Sequence, residues 1–272
     1  DLSHNRIISM TEDPGGFLWI KTYDDLLYRF DVETETFVAV PSGLDGLHEV
    51  TAQVENLHCS EDGVMWVALS GIGLISVNED LTYNLYYGKN NPVGKDVTSI
   101  HEDSDGNIYV VSESGISMIS DGTASLLSRD ADVIAYAEAG ESLFFLTPDQ
   151  LIVVDKVSRE QNKMELKVLG LSEATSITCS GGTVYVGFRD NAVASVDPDS
   201  LEISVHRTDM GRVRYLFPDP EGLLWIATER TGIWKYNPSD EGFRHYEHSS
   251  NVMSYYSDTL AIVPIMSKKL LI

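Results

Sequence analysis

Positive charge is what this sequence has least of. Nineteen lysines and arginines stand against 42 aspartates and glutamates, a formal net charge of −23 over 272 residues. Such a field repels phosphate backbones and anionic membrane surfaces, which argues against nucleic acid as a partner. Long apolar runs are missing too. The longest, such as Leu260 to Ile265, fall far short of the roughly 20 residues a spanning helix needs, so no direct membrane insertion is expected. Nothing at Asp1 resembles a signal peptide. Cysteine is scarce, with two residues. Disorder is excluded by the 43% hydrophobic content, which is enough to bury a substantial core.

What is present is a repeat. Segments in which a turn leads into an apolar, an aromatic and another apolar residue read GGFLWI, DGVMWV, DGNIYV, GESLFF, GGTVYV and EGLLWI. Their aromatics are Trp19, Trp66, Tyr109, Phe144, Tyr185 and Trp225, separated by 47, 43, 35, 41 and 40 residues. A period near 40 with a recurrent aromatic is the signature of propeller blades. The first and sixth units divide most clearly into four short strands, A to D. They read IISMT, FLWIKT, LLYRFDV and TFVAV in one, and VRYLF, LLWIAT, GIWKYNP and FRHYE in the other. All are rich in β-branched and aromatic residues and bounded by Gly, Pro, Asp and Asn.

The fold class expected is therefore all-β, a β-propeller of four-stranded antiparallel blades. Six repeats span approximately 5–40, 50–88, 95–128, 131–169, 174–207 and 211–248. Strand B is continuously apolar because a middle strand is covered on both faces. The recurrent aromatics are read as packing between blades, not as ligand platforms. In residues 251–272, TLAIVPI and KKLLI read as strands A and B of a truncated seventh repeat, with Leu271 at the aromatic position. The sequence is thus expected to be a piece of a longer chain.

The same residues carry a family resemblance. An isoleucine-rich strand, Glu-Asp, a Gly turn, Leu-Trp-Ile, Thr, then a Gly-Leu or Leu-Tyr strand and a terminal Phe resemble the two-component regulator propeller repeat. It is seen here in IISMTEDPGGFLWIKTYDDLLYRFDVETETF and VRYLFPDPEGLLWIATERTGIWKYNPSDEGFRHY, and LSHNRI is similar to the linker that introduces it. The first, second and sixth units match well, the third moderately, the fourth and fifth in outline. The resemblance implies the periplasmic sensor region of a hybrid two-component regulator of Bacteroidetes, with a histidine kinase elsewhere in the parent chain. It also implies a glycan-derived oligosaccharide ligand, a homodimer partner and no catalysis by these residues.

Catalytic and metal signatures are weak. The HEVTA segment at His48 and Glu49 lacks the second histidine of a zinc-protease helix. His245 and His248, three apart, point to opposite faces of a strand. Asp103, Asp105 and Asn107 in DSDGN lack a closing Glu at the twelfth position and read as a turn. No metal and no cofactor is expected. Cys59 and Cys179 fall near the ends of strands A in the second and fifth repeats, too far apart for a disulfide, and read as small buried residues. For ligand binding, the loops from strand B to C offer Tyr23 and Asp24, Arg189, Asp190 and Asn191, and Glu229 and Arg230. Tyr23 would stack on a sugar while the polar groups bond its hydroxyls. Two other classes remain open. One is a propeller lyase acting on a polysaccharide or a streptogramin, and the other is a scaffold whose acidic surface docks a protein.

Overall fold

The structure, a computed structural model, describes residues 5–24, 26–40, 54–86, 88, 91–171, 173–239, 242–246, 263–265 and 269–271. His48, Glu49 and His248 lie outside the described residues. The chain forms two compact units, Asp1–Asp132 and Val133–Ile272.

The first unit holds three four-stranded antiparallel sheets, each paired in chain order. Sheet one is β1 (Ile7–Glu12), β2 (Phe17–Thr22), β3 (Leu27–Asp31) and β4 (Thr36–Ala39). Sheet two is β5 (Val54–Cys59), β6 (Met65–Leu69), β7 (Gly73–Val77) and β8 (Tyr83–Tyr86). Sheet three is β9 (Val97–Glu102), β10 (Ile108–Ser112), β11 (Gly115–Ser120) and β12 (Thr123–Ser128). The second unit repeats the plan. Sheet four is β13 (Ala135–Ala139), β14 (Ser142–Leu146), β15 (Gln150–Asp155) and β16 (Gln161–Glu165). Sheet five is β17 (Ala174–Ser180), β18 (Thr183–Phe188), β19 (Ala192–Val196) and β20 (Ile203–Arg207). Sheet six is β21 (Val213–Pro218), β22 (Leu224–Thr228), β23 (Ile233–Asn237) and β24 (Gly242–Tyr246). A hairpin of β25 (Val263–Ile265) and β26 (Lys269–Leu271) follows.

Within each unit successive sheets approach through their first strands, and the cores lie between sheets. Trp19 packs with Met65 and Val67 of sheet two, and Trp66 with Ile100 and Val110 of sheet three. In the second unit Phe144 packs with Ile177 and Val186 of sheet five, and Tyr185 with Val213 and Ile226 of sheet six. In these four sheets the aromatic of the second strand thus bridges to the sheet that follows it. Tyr109 is also fully buried. Trp225 is half-buried and lies against Tyr246 of its own sheet, ring centroids 5.7 Å apart. The cysteines are corrected as well: both are free but only half-buried.

The turn from first to second strand explains which repeats read clearly. Asp13, Asp103 and Asp219 each start this turn, accept backbone N–H groups across it, and accept a bond from the aromatic six residues on. Those bonds run from Trp19 Nε1 (2.8 Å), Tyr109 OH (2.9 Å) and Trp225 Nε1 (3.0 Å). Each turn closes on a glycine at positive φ, as at Gly106 (φ 79°), where a side chain would be strained. Sheets four and five instead use two-residue turns, Gly140–Glu141 and Gly181–Gly182, with no aspartate anchor.

Sheet two keeps the long turn but carries Ser60 at the anchor position, and Trp66 Nε1 is buried without a hydrogen-bond partner. Ser60→Asp should supply the missing acceptor in the geometry of Asp103 and raise stability by about 1 kcal/mol. The check is the urea midpoint of that variant beside Ser60→Ala, which should show no gain.

Candidate functional site

The loops from second to third strand are shaped by one local rule. The last residue of the second strand is a buried hydroxyl in sheets one, three and six: Thr22, Ser112 and Thr228. Each lies within hydrogen-bond reach of a carbonyl across the loop, as with Thr228 Oγ1 and the Gly232 oxygen at 2.7 Å. In sheets one, five and six the residue after the second strand bonds through its N–H to the carbonyl preceding the first strand. Tyr23 pairs in this way with Arg6, Arg189 with Glu173 and Glu229 with Arg212. Tyr23, Arg189 and Glu229 are therefore equivalent places in three sheets.

In the first unit Tyr23 is 54% exposed, and the Arg6 guanidinium lies over its ring, 4.3 Å from the centroid. Asp24 accepts a 2.6 Å bond from the Thr22 hydroxyl, so its carboxylate serves the loop itself. The other polar group of note in this unit is an inter-sheet pair, His58 Nε2 to Glu102 at 3.2 Å. Beside it, burial and then the charge of His58 press the imidazole of His101 down to about 4. No cluster of three or more metal-ligating side chains occurs among the described residues.

In the second unit the structure brings Arg189 and Glu229 to one cavity of about 320 Å³ between sheets five and six. Thr175, Arg212, Val213, Arg214 and Tyr215 complete its lining. Asp190 and Asn191 are exposed on the same loop as Arg189, and Asn191 takes a turn conformation (φ 55°) in which its carbonyl accepts the Thr208 N–H. Arg230 is exposed next to Glu229. The approach of the two sheets depends on Gly187. A Cβ there would stand 2.5 Å from Val213 Cγ1 and 2.7 Å from Ser176 Oγ.

The charges of this cavity are interlocked. Arg189 pairs with Glu173 at 2.6 Å, Arg212 with Glu229 at 3.1 Å, and Arg214 reaches Glu229 at 3.9 Å. The hydrogen bond from Arg212 holds the Glu229 carboxyl below its ordinary range, with the charges of Arg212, Arg214 and Arg230 acting the same way. Glu229 therefore stays ionised. Tyr215 is 50% exposed and is the aromatic residue of the lining.

Sequence patterning missed Thr175, Arg212, Arg214 and Tyr215. The reason is a β-bulge at the start of the first strand. Val213 pairs with Thr228 and Tyr215 with Ala227, leaving Arg214 as the extra residue, and Thr175 is the extra residue in sheet five. A bulge re-aims a side chain that strict alternation would assign elsewhere. The available signal was a charged or hydroxyl residue in second place in an apolar first strand.

Sheets of this plan, packed through their first strands, define the β-propeller class with four-stranded antiparallel blades. Residues 1–24 match the family model described as two-component regulator propeller. No curated protein matches the chain. Among solved structures, it is similar to the extracellular domain of the hybrid two-component system BT3049 from B. thetaiotaomicron. The TM-score is 0.61 at 18% identity, over 92% of this chain and 36% of that one. The extracellular domain of hybrid two-component system BT4673 from the same organism gives 0.59 at 19% identity, over 99% and 38%. Virginiamycin B lyase from Staphylococcus aureus gives 0.60 at 14% identity, over 90% and 85%. This chain thus spans little more than a third of the two-component system domains it resembles. No helix among the described residues is long and apolar enough to cross a membrane.

Proposed function

We propose that this chain is a non-catalytic ligand-recognition propeller of the periplasmic sensor region of a hybrid two-component regulator, and that it detects a glycan-derived oligosaccharide. The observation that carries the reading is the two-component regulator propeller repeat at residues 1–24. The similarity to extracellular domains of two-component systems supports it. The cavity between sheets five and six supports the reading, because its lining joins an aromatic residue to several hydrogen-bonding groups. That combination suits a sugar, whose ring has an apolar face and a polar edge. In this reading the signal passes to a histidine kinase in the rest of the parent chain, within a homodimer.

A second reading is favoured by one observation, the similarity to a lyase of which this chain covers 85%. A thermal-shift screen of the 272-residue chain against oligosaccharides, with chromatographic analysis of each mixture, separates the two. The sensor reading expects a rise in melting temperature with some oligosaccharides and no new product. Product formation would make the chain a lyase. Silence against every oligosaccharide would overturn sugar recognition and favour an acidic docking scaffold.

A further inference from the structure

The charge of the cavity runs against that of the chain. Arg189, Arg212 and Arg214 line it with one carboxylate, Glu229, in a protein whose formal charge is −23. Three of only nineteen basic residues have been gathered around 320 Å³. Packing does not account for this. Arg189, Arg212 and Arg214 are 47%, 54% and 41% exposed at their side chains, and ion pairs so exposed add little to stability.

Hydrogen-bond capacity points the same way. A guanidinium carries five N–H donors in a planar fork and accepts nothing. Glu229 divides its two oxygens between Arg212 and Arg214, the latter at a loose 3.9 Å. The carboxylate thus fixes Arg212 and engages Arg214 loosely, leaving more donors at the cavity than it can satisfy. Forked donors match the two oxygens of a carboxylate or sulfate, and a lysine in the same place would not. Tyr215 in the lining supplies the apolar face for a ring attached to that acid group.

We propose that this cavity takes the acid group of an anionic saccharide, a uronate carboxylate or a sulfate ester, between Arg212 and Arg214, with the sugar ring against Tyr215. The proposal rests on the sugar-recognition reading above and narrows it to one chemical class. Arg189, tethered by Glu173, forms the far wall, and Glu229 fixes Arg212 without contacting the acid.

Titration calorimetry on the 272-residue chain tests it with three disaccharides of equal size, one neutral, one bearing a uronate and one a sulfate. An acidic disaccharide should bind at least tenfold tighter than the neutral one. Arg212→Gln with Arg214→Gln should weaken it tenfold or more while leaving the melting temperature of the free protein unchanged. Arg214→Lys, which keeps charge and loses the fork, should still bind several-fold more weakly than wild type. Val32→Ala, an exposed position in the other unit, should bind as wild type does. Equal binding of neutral and acidic sugars would overturn the anionic class and leave sugar recognition standing. Acidic binding unaffected by the double substitution would overturn this cavity as its site. Binding of inorganic sulfate as tightly as of the sulfated sugar would overturn the role of the ring. Failure of all three disaccharides and of the wider oligosaccharide panel would remove both proposals.

Discussion

Phe144→Ala should destabilise the second unit by about 3–5 kcal/mol, the range for truncating a fully buried aromatic. Phe144 has no solvent exposure and pairs across its sheet with Ala137 and Val153. Its ring belongs to the core that joins sheet four to Ile177, Val184 and Val186 of sheet five. Truncation removes apolar contact on both sides of that joint, and the flanking strands are held by their ladders and cannot close the gap. Phe144→Leu, which restores most of the volume, should cost under about 1.5 kcal/mol. Trp225→Ala, at the half-buried equivalent place, should cost less than Phe144→Ala despite removing more atoms. Urea unfolding followed by tryptophan fluorescence and circular dichroism measures the first two variants, and circular dichroism alone measures the third. A loss under about 1 kcal/mol for Phe144→Ala would contradict the packing role.

Asp103→Ala should cost about 1–3 kcal/mol, because it removes the acceptor shared by the buried Tyr109 hydroxyl and the part-buried donors of the turn. The carboxylate is 4% exposed and accepts from the N–H groups of Asp105 and Asn107, the Asn107 amide and the Tyr109 hydroxyl. Burial pushes this carboxyl upward, but the bonds from Asn107, Tyr109 and Asp105 outweigh it and hold the group below its ordinary 3.8. A depressed carboxylate contributes stability that is complete above its unfolded value. That contribution is lost as pH falls through about 4 and then through the lower folded value. The gap in stability between wild type and Asp103→Asn should therefore be constant above pH 5 and shrink below pH 4. Chemical denaturation across that range is the test, and a gap independent of pH would rule out the ionised anchor.

The strand plan was legible because each strand is short and punctuated. The expected FLWIKT second strand coincides with Phe17–Thr22, and the others shift by a residue or two at their ends. Sheets four and five matched the repeat only in outline for a reason the turns make plain. Phe144 has no polar atom and needs no aspartate, so a two-residue turn suffices there. At the candidate site, loop residues Arg189 and Glu229 could be picked from polarity and position alone. Arg212, Arg214 and Tyr215 could not, since they stand at the start of a strand whose alternation is broken by the bulge. A periodic reading assigns sides by counting, and one inserted residue upsets the count. Asp24 and Tyr23 have the chemistry of ligand groups, yet each has a local partner, Thr22 and Arg6, that polarity alone does not reveal.

The bulge recurs at the same place in five of the six four-stranded sheets. Its extra residues are Ile8, Glu55, Thr98, Thr175 and Arg214. Each is set out of the ladder beside a rigid second strand, and none is fully buried. An aliphatic, an acid, two hydroxyls and a base occupy one equivalent position without disturbing the pairing on either side. Natural variation can rewrite the chemistry of that position sheet by sheet while the core stays constant, so relatives sharing this scaffold can diverge in what they recognise long before they diverge in how they fold.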